Sequence, residues 1–303
     1  MSARNGIIII NKPTDWTSHD VVAKLRGILK TKRVGHGGTL DPMATGVLPI
    51  FIGRATRAAE FCENAEKEYI TAIRFGITTD TQDITGTILK SCMAKITADE
   101  LQAVIPLFLY EQKQIPPMYS AIKIGGKKLY ELARRGIDID RPPRDIYISE
   151  IELLTQAIQG REGSNALNEF ALRIVCSKGT YIRTICHDIG EKLGCGAVMN
   201  RLERTRVGNF TLDEAVTLDE VQEAAEQDEL DKMIIPTDTL FLNHPKITLN
   251  ETNTKKCKNG VLCHVGEIRN GKYRVYSHAG EFLALGEVAN CRLKIIKSFF
   301  IQD

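Results

Sequence analysis

Residues 35–46, Gly35-His36-Gly37-Gly38-Thr39-Leu40-Asp41-Pro42-Met43-Ala44-Thr45-Gly46, constrain this chain more than any other stretch. Four glycines and a proline within twelve residues exclude a continuous helix or strand, while glycine permits sharp turns and close backbone approach. Before the loop, Val21, Leu25, Ile28 and Leu29 recur at helical spacing, and after it residues 47–52 are largely apolar. The chain must therefore pass from helix to loop to strand here, with the Asp41 carboxylate on the bend. Pro42 biases Asp41 toward extended backbone and stiffens the loop. An isolated Asp-Pro is most often a turn residue. The glycines do not form a phosphate loop, because no Gly-Lys-Ser/Thr ending follows.

Residues 7–10, four isoleucines, read as a buried strand, and Thr17 with Asp20 has capping-box spacing for the helix that follows. Residues 67–75 alternate like a strand and lead into a polar turn over 78–86. Thr97 and Glu100 form a second capping box ahead of Leu101, Val104, Ile105 and Phe108. Residues 119–124 read as a strand, Gly125-Gly126 as a tight turn, and 127–136 as a short helix. Residues 170–176 alternate again, and Ile182, Ile185, Ile189 and Leu193 mark a helix closed by Gly194. The acidic stretch 213–231 has helical periodicity. Pro236 and Pro245 then bracket a boundary, followed by short β-like runs separated by glycines. The pattern predicts an α+β body over 1–240 and a compact β-rich module over 241–303.

With 303 residues, 43% hydrophobic and 26% charged, the composition is that of an ordinary globular protein. No apolar run reaches the ~20 residues a membrane helix requires, and the 7–10 block is too short for a signal-peptide core. A cytoplasmic location is expected. The eight cysteines include no Cys-x-x-Cys pair, which favours free thiols over disulfides. Cys257, Cys263 and His264 lack the spacing of a zinc site, so no metal is expected. The net charge of +2 is uneven: +5 over 1–60, +5 over 244–303 and therefore −8 between them. Basic ends suit a polyanionic partner.

The 35–46 loop resembles the Gly-His-x-Gly-Thr-Leu-Asp-Pro-x-Ala-Thr-Gly signature of the bacterial tRNA pseudouridine-55 synthases, the TruB family. Further segments match in order: Asn11-Lys12-Pro13, Lys67-Glu68-Tyr69, Gln114-Ile115-Pro116-Pro117-Met118-Tyr119-Ser120-Ala121, Gly126-Lys127-Lys128-Leu129-Tyr130-Glu131, and Cys176-Ser177-Lys178-Gly179-Thr180-Tyr181-Ile182-Arg183-Thr184. Together they extend across roughly residues 5–237. The resemblance implies a pseudouridine-synthase fold with a mixed, mostly antiparallel central sheet flanked by helices, and a small C-terminal PUA-like domain. It implies an isomerase that needs neither cofactor nor metal. Such an enzyme detaches uracil from the ribose anomeric carbon, turns it in place and rejoins it through ring carbon 5.

By that resemblance Asp41 is the catalytic carboxylate, acting as nucleophile or base, and Arg183 the guanidinium that keeps it ionised and oriented. Tyr69 is the aromatic residue packed on the target uracil. Tyr181 is a second substrate-contacting tyrosine, Leu202 lines the pocket, His36 enters the T loop in place of the flipped base, and Lys12 has a positional role near the site. Chemistry on a base in folded RNA calls for flipping it out onto such aromatics. The expected partner is the T stem-loop of tRNA, and the expected state is a monomer. Many relatives carry threonine where this chain has Gly37, a change expected to loosen the loop. Lys255-Lys256-Cys257-Lys258 and Arg292-Leu293-Lys294 are candidate phosphate contacts.

Three rival functions are weighed on the residues alone, one of them a pseudouridine synthase working within a multi-protein, guide-RNA complex, against which the uninterrupted Gly-His-Gly-Gly-Thr-Leu-Asp-Pro form argues. An RNA-binding tRNA chaperone on the same fold would not need the Asp41, Tyr69 and Arg183 set. A cofactor-dependent RNA methyltransferase would need a Gly-x-Gly-x-x-Gly turn, which is absent from the sequence.

Overall fold

A computed structural model of the chain describes residues 4–154 and 168–300. It is an α+β protein whose chain divides into two compact units. One comprises Met1–Pro42, Gly46–Asn64 and Val207–Asp303, and the other Met43–Thr45 and Ala65–Arg206.

In the first unit the isoleucine strand Gly6–Lys12 runs antiparallel to Thr45–Ile52, with Lys12 opposite Gly46. The short strand Val34–His36 pairs with the same partner, His36 opposite Ile50. The helix Ser18–Ile28 begins at a capping box: Asp20 N donates to Thr17 Oγ1 (3.1 Å) and Thr17 N to Asp20 Oδ2 (2.9 Å). These Thr17 hydrogen bonds hold the Asp20 carboxyl below its ordinary pKa. Val21, Val22 and Leu25 from this helix pack with Ile8, Ile10, Leu48 and Ile50 of the strands and with Leu218 and Val221 of the helix Leu218–Glu226. Each such buried aliphatic side chain contributes about 1.5–3 kcal/mol, which makes this cluster the main anchor of the loop between helix and strand.

The C-terminal part of this unit is a five-stranded sheet in the order Lys246–Thr248, Gly271–Tyr276, Phe282–Ala289, Arg292–Ser298, Cys263–His264. Its first pair is parallel and the rest antiparallel. A helix, Glu251–Lys258, capped by Asn250, interrupts the β-rich pattern.

In the second unit the strand order is Ala197–Val207, Lys67–Phe75, Glu169–Cys176, Arg144–Leu154, Tyr110–Gln114. The last four are joined by antiparallel ladders. Strand Lys67–Phe75 buries alternate residues, as its sequence predicts. The helix Ile182–Lys192 packs at this sheet, where the Thr71 hydroxyl lies 4.0 Å from Cys186 Sγ. The strand expected over 119–124 is confined to Lys123–Ile124, paired with Lys127–Lys128 across the glycine turn. Residues 119–121 are bends, because Met118 packs in a small cluster with Leu129 and Leu132.

Candidate active site

Asp41 sits on a loop held from both sides. On one side Leu40, almost fully buried, donates its N–H to Ser18 Oγ (2.9 Å), and the same hydroxyl donates to Leu40 O (3.3 Å). On the other side Pro42 O accepts from Lys12 Nζ (3.0 Å) and from Asp15 N (2.9 Å). Lys12 is fully buried, and its ammonium also donates to Pro13 O (2.8 Å) and Trp16 O (2.6 Å). A buried charge is tolerated only when hydrogen-bonded in this way. Asp15 reaches Pro42 from a left-handed conformation, φ 63°. Two neighbours of one carboxylate residue are thus pinned to the strand end and the helix start, so its backbone has little freedom. Glycine is needed at Gly38 and Gly46, where φ is 116° and 101°.

Gly37 behaves differently from expectation. It is buried, its N–H donates to Pro49 O (2.9 Å), and an added Cβ would lie 2.8 Å from Phe51 and 2.9 Å from the Cys62 sulfur. Phe51 and Cys62 fill the space a side chain would take, and the loop is tight rather than loosened. His36, on its short strand, makes an edge-on ring contact with His19, centroids 5.4 Å apart. Sequence spacing had shown no second histidine near it. Among the described residues no group of three His, Cys, Asp or Glu could hold a metal ion.

The second unit carries Tyr69, Tyr181, Arg183 and Leu202. Tyr69 and Leu202 are each 7% exposed, on neighbouring strands. Two residues beyond Tyr69 on the same strand, the Thr71 hydroxyl donates to Arg201 O (2.8 Å) and lies 4.0 Å from Cys186 Sγ, so it joins both strands to the helix that bears Arg183. Tyr181 is the N-cap residue of that helix. Arg183 is 4% exposed; its Nη1 donates to Thr81 O (3.1 Å) and lies 3.7 Å from Asp83 Oδ2, and its Nη2 donates to Tyr119 O (3.0 Å).

Asp83 is itself fixed: Oδ1 accepts from Thr81 Oγ1 (2.8 Å), Thr85 N (3.0 Å) and Thr85 Oγ1 (2.6 Å). The guanidinium is therefore oriented by the 81–85 turn, which the sequence showed only as polar. A planar fork with several N–H donors suits such an arrangement better than an ammonium would. Burial pushes the Cys176 and Cys186 thiols up to about 12, so neither supplies a thiolate nucleophile near neutral pH.

The lysines proposed from sequence as phosphate contacts are partly engaged: Lys255 pairs with Glu251 (2.9 Å) and Lys258 with Glu281 (2.9 Å). Such exposed pairs are weak and exchange readily.

Comparison with known proteins bears directly on this geometry. Residues 26–182 match the profile of the TruB family pseudouridylate synthase N-terminal domain, and 183–242 match the tRNA pseudouridylate synthase B C-terminal domain. The chain belongs to the TruB family. Members of this family are pseudouridylate synthases, and the reaction is an isomerisation. A tRNA pseudouridine synthase B of Syntrophomonas wolfei is 42% identical over 288 residues, 94% of each chain. One of Bacillus subtilis is 41% identical over 288 residues, covering 93% of this chain and 92% of that one. One of Bacillus pumilus is 46% identical over 260 residues, covering 85% and 83%.

Among solved structures, an H/ACA RNP bound to a substrate RNA containing 2'-deoxyuridine is similar, with TM-score 0.71 and 25% identity over 98% of this chain and 86% of that one. A Cbf5–Nop10–Gar1 complex gives TM-score 0.71 with 26% identity over 97% and 85%. The TruB-type fold thus accounts for the α+β architecture and the pseudouridine-synthase chemistry expected from the 35–46 loop. Ser18, Asp15 and Asp83 hold the candidate residues in place without any signal in the sequence that marks them for it, and Gln114 lay within a matched segment that gave it no role.

Proposed function

We propose that the chain converts uridine 55 in the T arm of tRNA to pseudouridine, as a monomer in the cytoplasm and without cofactor or metal. The observation that carries this reading is the Asp41 backbone, fixed through Leu40 by Ser18 and through Pro42 by Lys12 and Asp15. A carboxylate presented on so constrained a bend is suited to act as nucleophile or base, because holding reacting groups in place removes much of the entropic part of a barrier. Family membership supplies the reaction class. The relatives named tRNA pseudouridine synthase B suggest the substrate.

In this reading the target base leaves its stack and rests on Tyr69, with Tyr181 and Leu202 lining the pocket. His36 occupies the space the base vacates, and Arg183 steadies the Asp41 carboxylate. Lys12 holds the loop and takes no part in bond making. The glycosidic bond to N1 breaks and a bond to carbon 5 forms; the proton on carbon 5 is lost and one is gained at N1, so no redox equivalent is required. Residues 241–303 act as a small PUA-like domain that grips the RNA backbone through lysines and arginines such as Lys256, Arg292 and Lys294. No helix among the described residues is long and apolar enough to cross a membrane.

The test is nucleotide-resolution mapping of pseudouridine in a T-arm stem-loop treated with the purified chain, wild type beside Asp41→Asn. Conversion at one uridine by the wild type, and none by the variant despite retained binding, is the expected result. Turnover by Asp41→Asn would overturn the catalytic assignment.

A further inference from the structure

Gln114 ends the strand Tyr110–Gln114 at the edge of its sheet and is only 5% exposed. A buried primary amide must find partners for both a donor and an acceptor. Here both belong to one residue: Gln114 Nε2 donates to Tyr181 O (3.1 Å), and Tyr181 N donates to Gln114 Oε1 (2.8 Å). The orientation of the amide is forced, since a backbone N–H only donates and a carbonyl only accepts. The side chain thus pairs with Tyr181 as one residue of a neighbouring strand would.

Tyr181 is the N-cap of the helix Ile182–Lys192, in extended conformation at φ −99°, ψ 109°, with no side-chain cap of its own. Its carbonyl also accepts the helix-opening N–H groups of Thr184 (3.1 Å) and Ile185 (3.2 Å). The Gln114 amide therefore fixes both ends of the residue from which the helix starts. It thereby fixes the backbone from which the Tyr181 side chain leaves and the origin of Arg183 two residues later. The chain that follows Gln114 returns to the same place, where Tyr119 O accepts from Arg183 Nη2 (3.0 Å). The 114–119 segment grips this helix start at residues 181 and 183.

We propose that Gln114 is a positioning residue for pseudouridine formation, acting on the reaction through the backbone of Tyr181 and hence through Arg183. The proposal rests on the reading of Tyr181 and Arg183 as substrate-site groups given above. A buried amide serving the fold alone would leave the rate of the bound complex unchanged.

Gln114→Met keeps the length and removes both hydrogen bonds. Gln114→Glu keeps the acceptor and places a second acceptor against the Tyr181 carbonyl. The measurement is single-turnover conversion of a T-arm stem-loop at saturating enzyme, with stem-loop Kd and thermal midpoint recorded for each variant. The expected result for Gln114→Met is a fall in rate constant of tenfold or more with Kd within threefold of wild type. In the Arg183→Lys background the same substitution should cost less than in the wild type, because residues acting through one another are not multiplicative.

A wild-type rate constant in Gln114→Met, or an undiminished loss on top of Arg183→Lys, overturns the proposal. Should Gln114→Met show no folding transition, Gln114→Glu is judged by the same criteria. A wild-type enzyme that makes no pseudouridine would instead sink the functional reading beneath the proposal.

Discussion

Ser18→Ala tests whether the Asp41 bend is held by what surrounds it. Ser18 is 1% exposed, and its hydroxyl is the partner that accepts from the buried Leu40 N–H at 2.9 Å. Removing it leaves that donor buried beside a methyl group, which costs about 1–3 kcal/mol. In a protein of this size that corresponds to roughly 2–5 °C in thermal midpoint. The tethers to Pro42 from Lys12 and Asp15 remain, so the loop stays attached but is loosened on one side of Asp41. A shift of about 1 Å in a reacting group costs about a hundredfold in rate, so a ten- to hundredfold drop in single-turnover rate is expected, with stem-loop affinity little changed. Asp20→Ala is the matched control. It lies two residues away in the same helix start, and its loss breaks the capping box and should cost about 1 kcal/mol in stability, yet its hydrogen bonds go to Thr17 and not to the loop. Calorimetry and single-turnover conversion of both variants decide the matter. A Ser18→Ala enzyme no slower than Asp20→Ala would refute the idea that Leu40 positions Asp41.

Gly37→Thr should destabilise the protein by about 1–3 kcal/mol through overpacking against Phe51 and Cys62, and adding Cys62→Ala should recover part of the loss in thermal midpoint. Asp83→Asn weakens the charge facing Arg183 at 3.7 Å and should lower the rate constant more than the affinity for the stem-loop; equal effects on both would contradict an orienting role. Burial lifts the Asp188 carboxyl above its ordinary value of 3.8, with Glu191 adding to the rise and His187 opposing it. Its folded pKa therefore exceeds its unfolded one, so stability present below pH 3.8 is lost as pH rises through the folded value. Asp188→Asn should raise the thermal midpoint at pH 7 and give no gain in acid below the unfolded value, as melting curves across pH would show. Lys256→Gln with Lys294→Gln should weaken RNA binding and flatten its dependence on salt by about one to two units in the log–log slope. An unchanged slope would remove these lysines from the phosphate-contacting surface.

How legible the chain was depended on whether a residue's partner lay near it in sequence. The capping boxes at Thr17 and Thr97 and the alternating strands around Tyr69 and Ile174 could be read directly, since their signals span a few residues. The strands Arg144–Leu154 and Ala197–Val207 escaped notice. Charged side chains interrupt their alternation, and those charges meet partners only once the sheet forms, as when Arg173 reaches Glu68, Glu150 and Glu152. The helix Glu251–Lys258 was hidden by its lysines, which looked like an RNA-facing run.

At the site, the glycines and Asp41 stood out because their chemistry is unusual where they stand. Ser18 reaches a partner 22 residues away, Gln114 one 67 away and Arg183 one 102 away, and no local pattern encodes such pairings.

The division of the chain bears on how it emerges from the ribosome. The isoleucine strand is made long before some of its partners: Ile7 exchanges backbone hydrogen bonds with Ile235 (2.8 and 2.7 Å), and Val216 bonds to the backbone of Ile9 and Asn11 (2.9 Å each). Those partners appear only after more than two hundred further residues have been translated. The intervening segment from Ala65 to Arg206 is continuous in sequence and can gain structure as it exits, whereas the isoleucine strand, though Thr45–Ile52 follows it closely, lacks its Val216 and Ile235 partners until that segment is complete. During that delay one edge of the isoleucine strand is unpaired, so holdase chaperones that shield nascent strand edges should matter more for the yield of this protein than its final stability suggests.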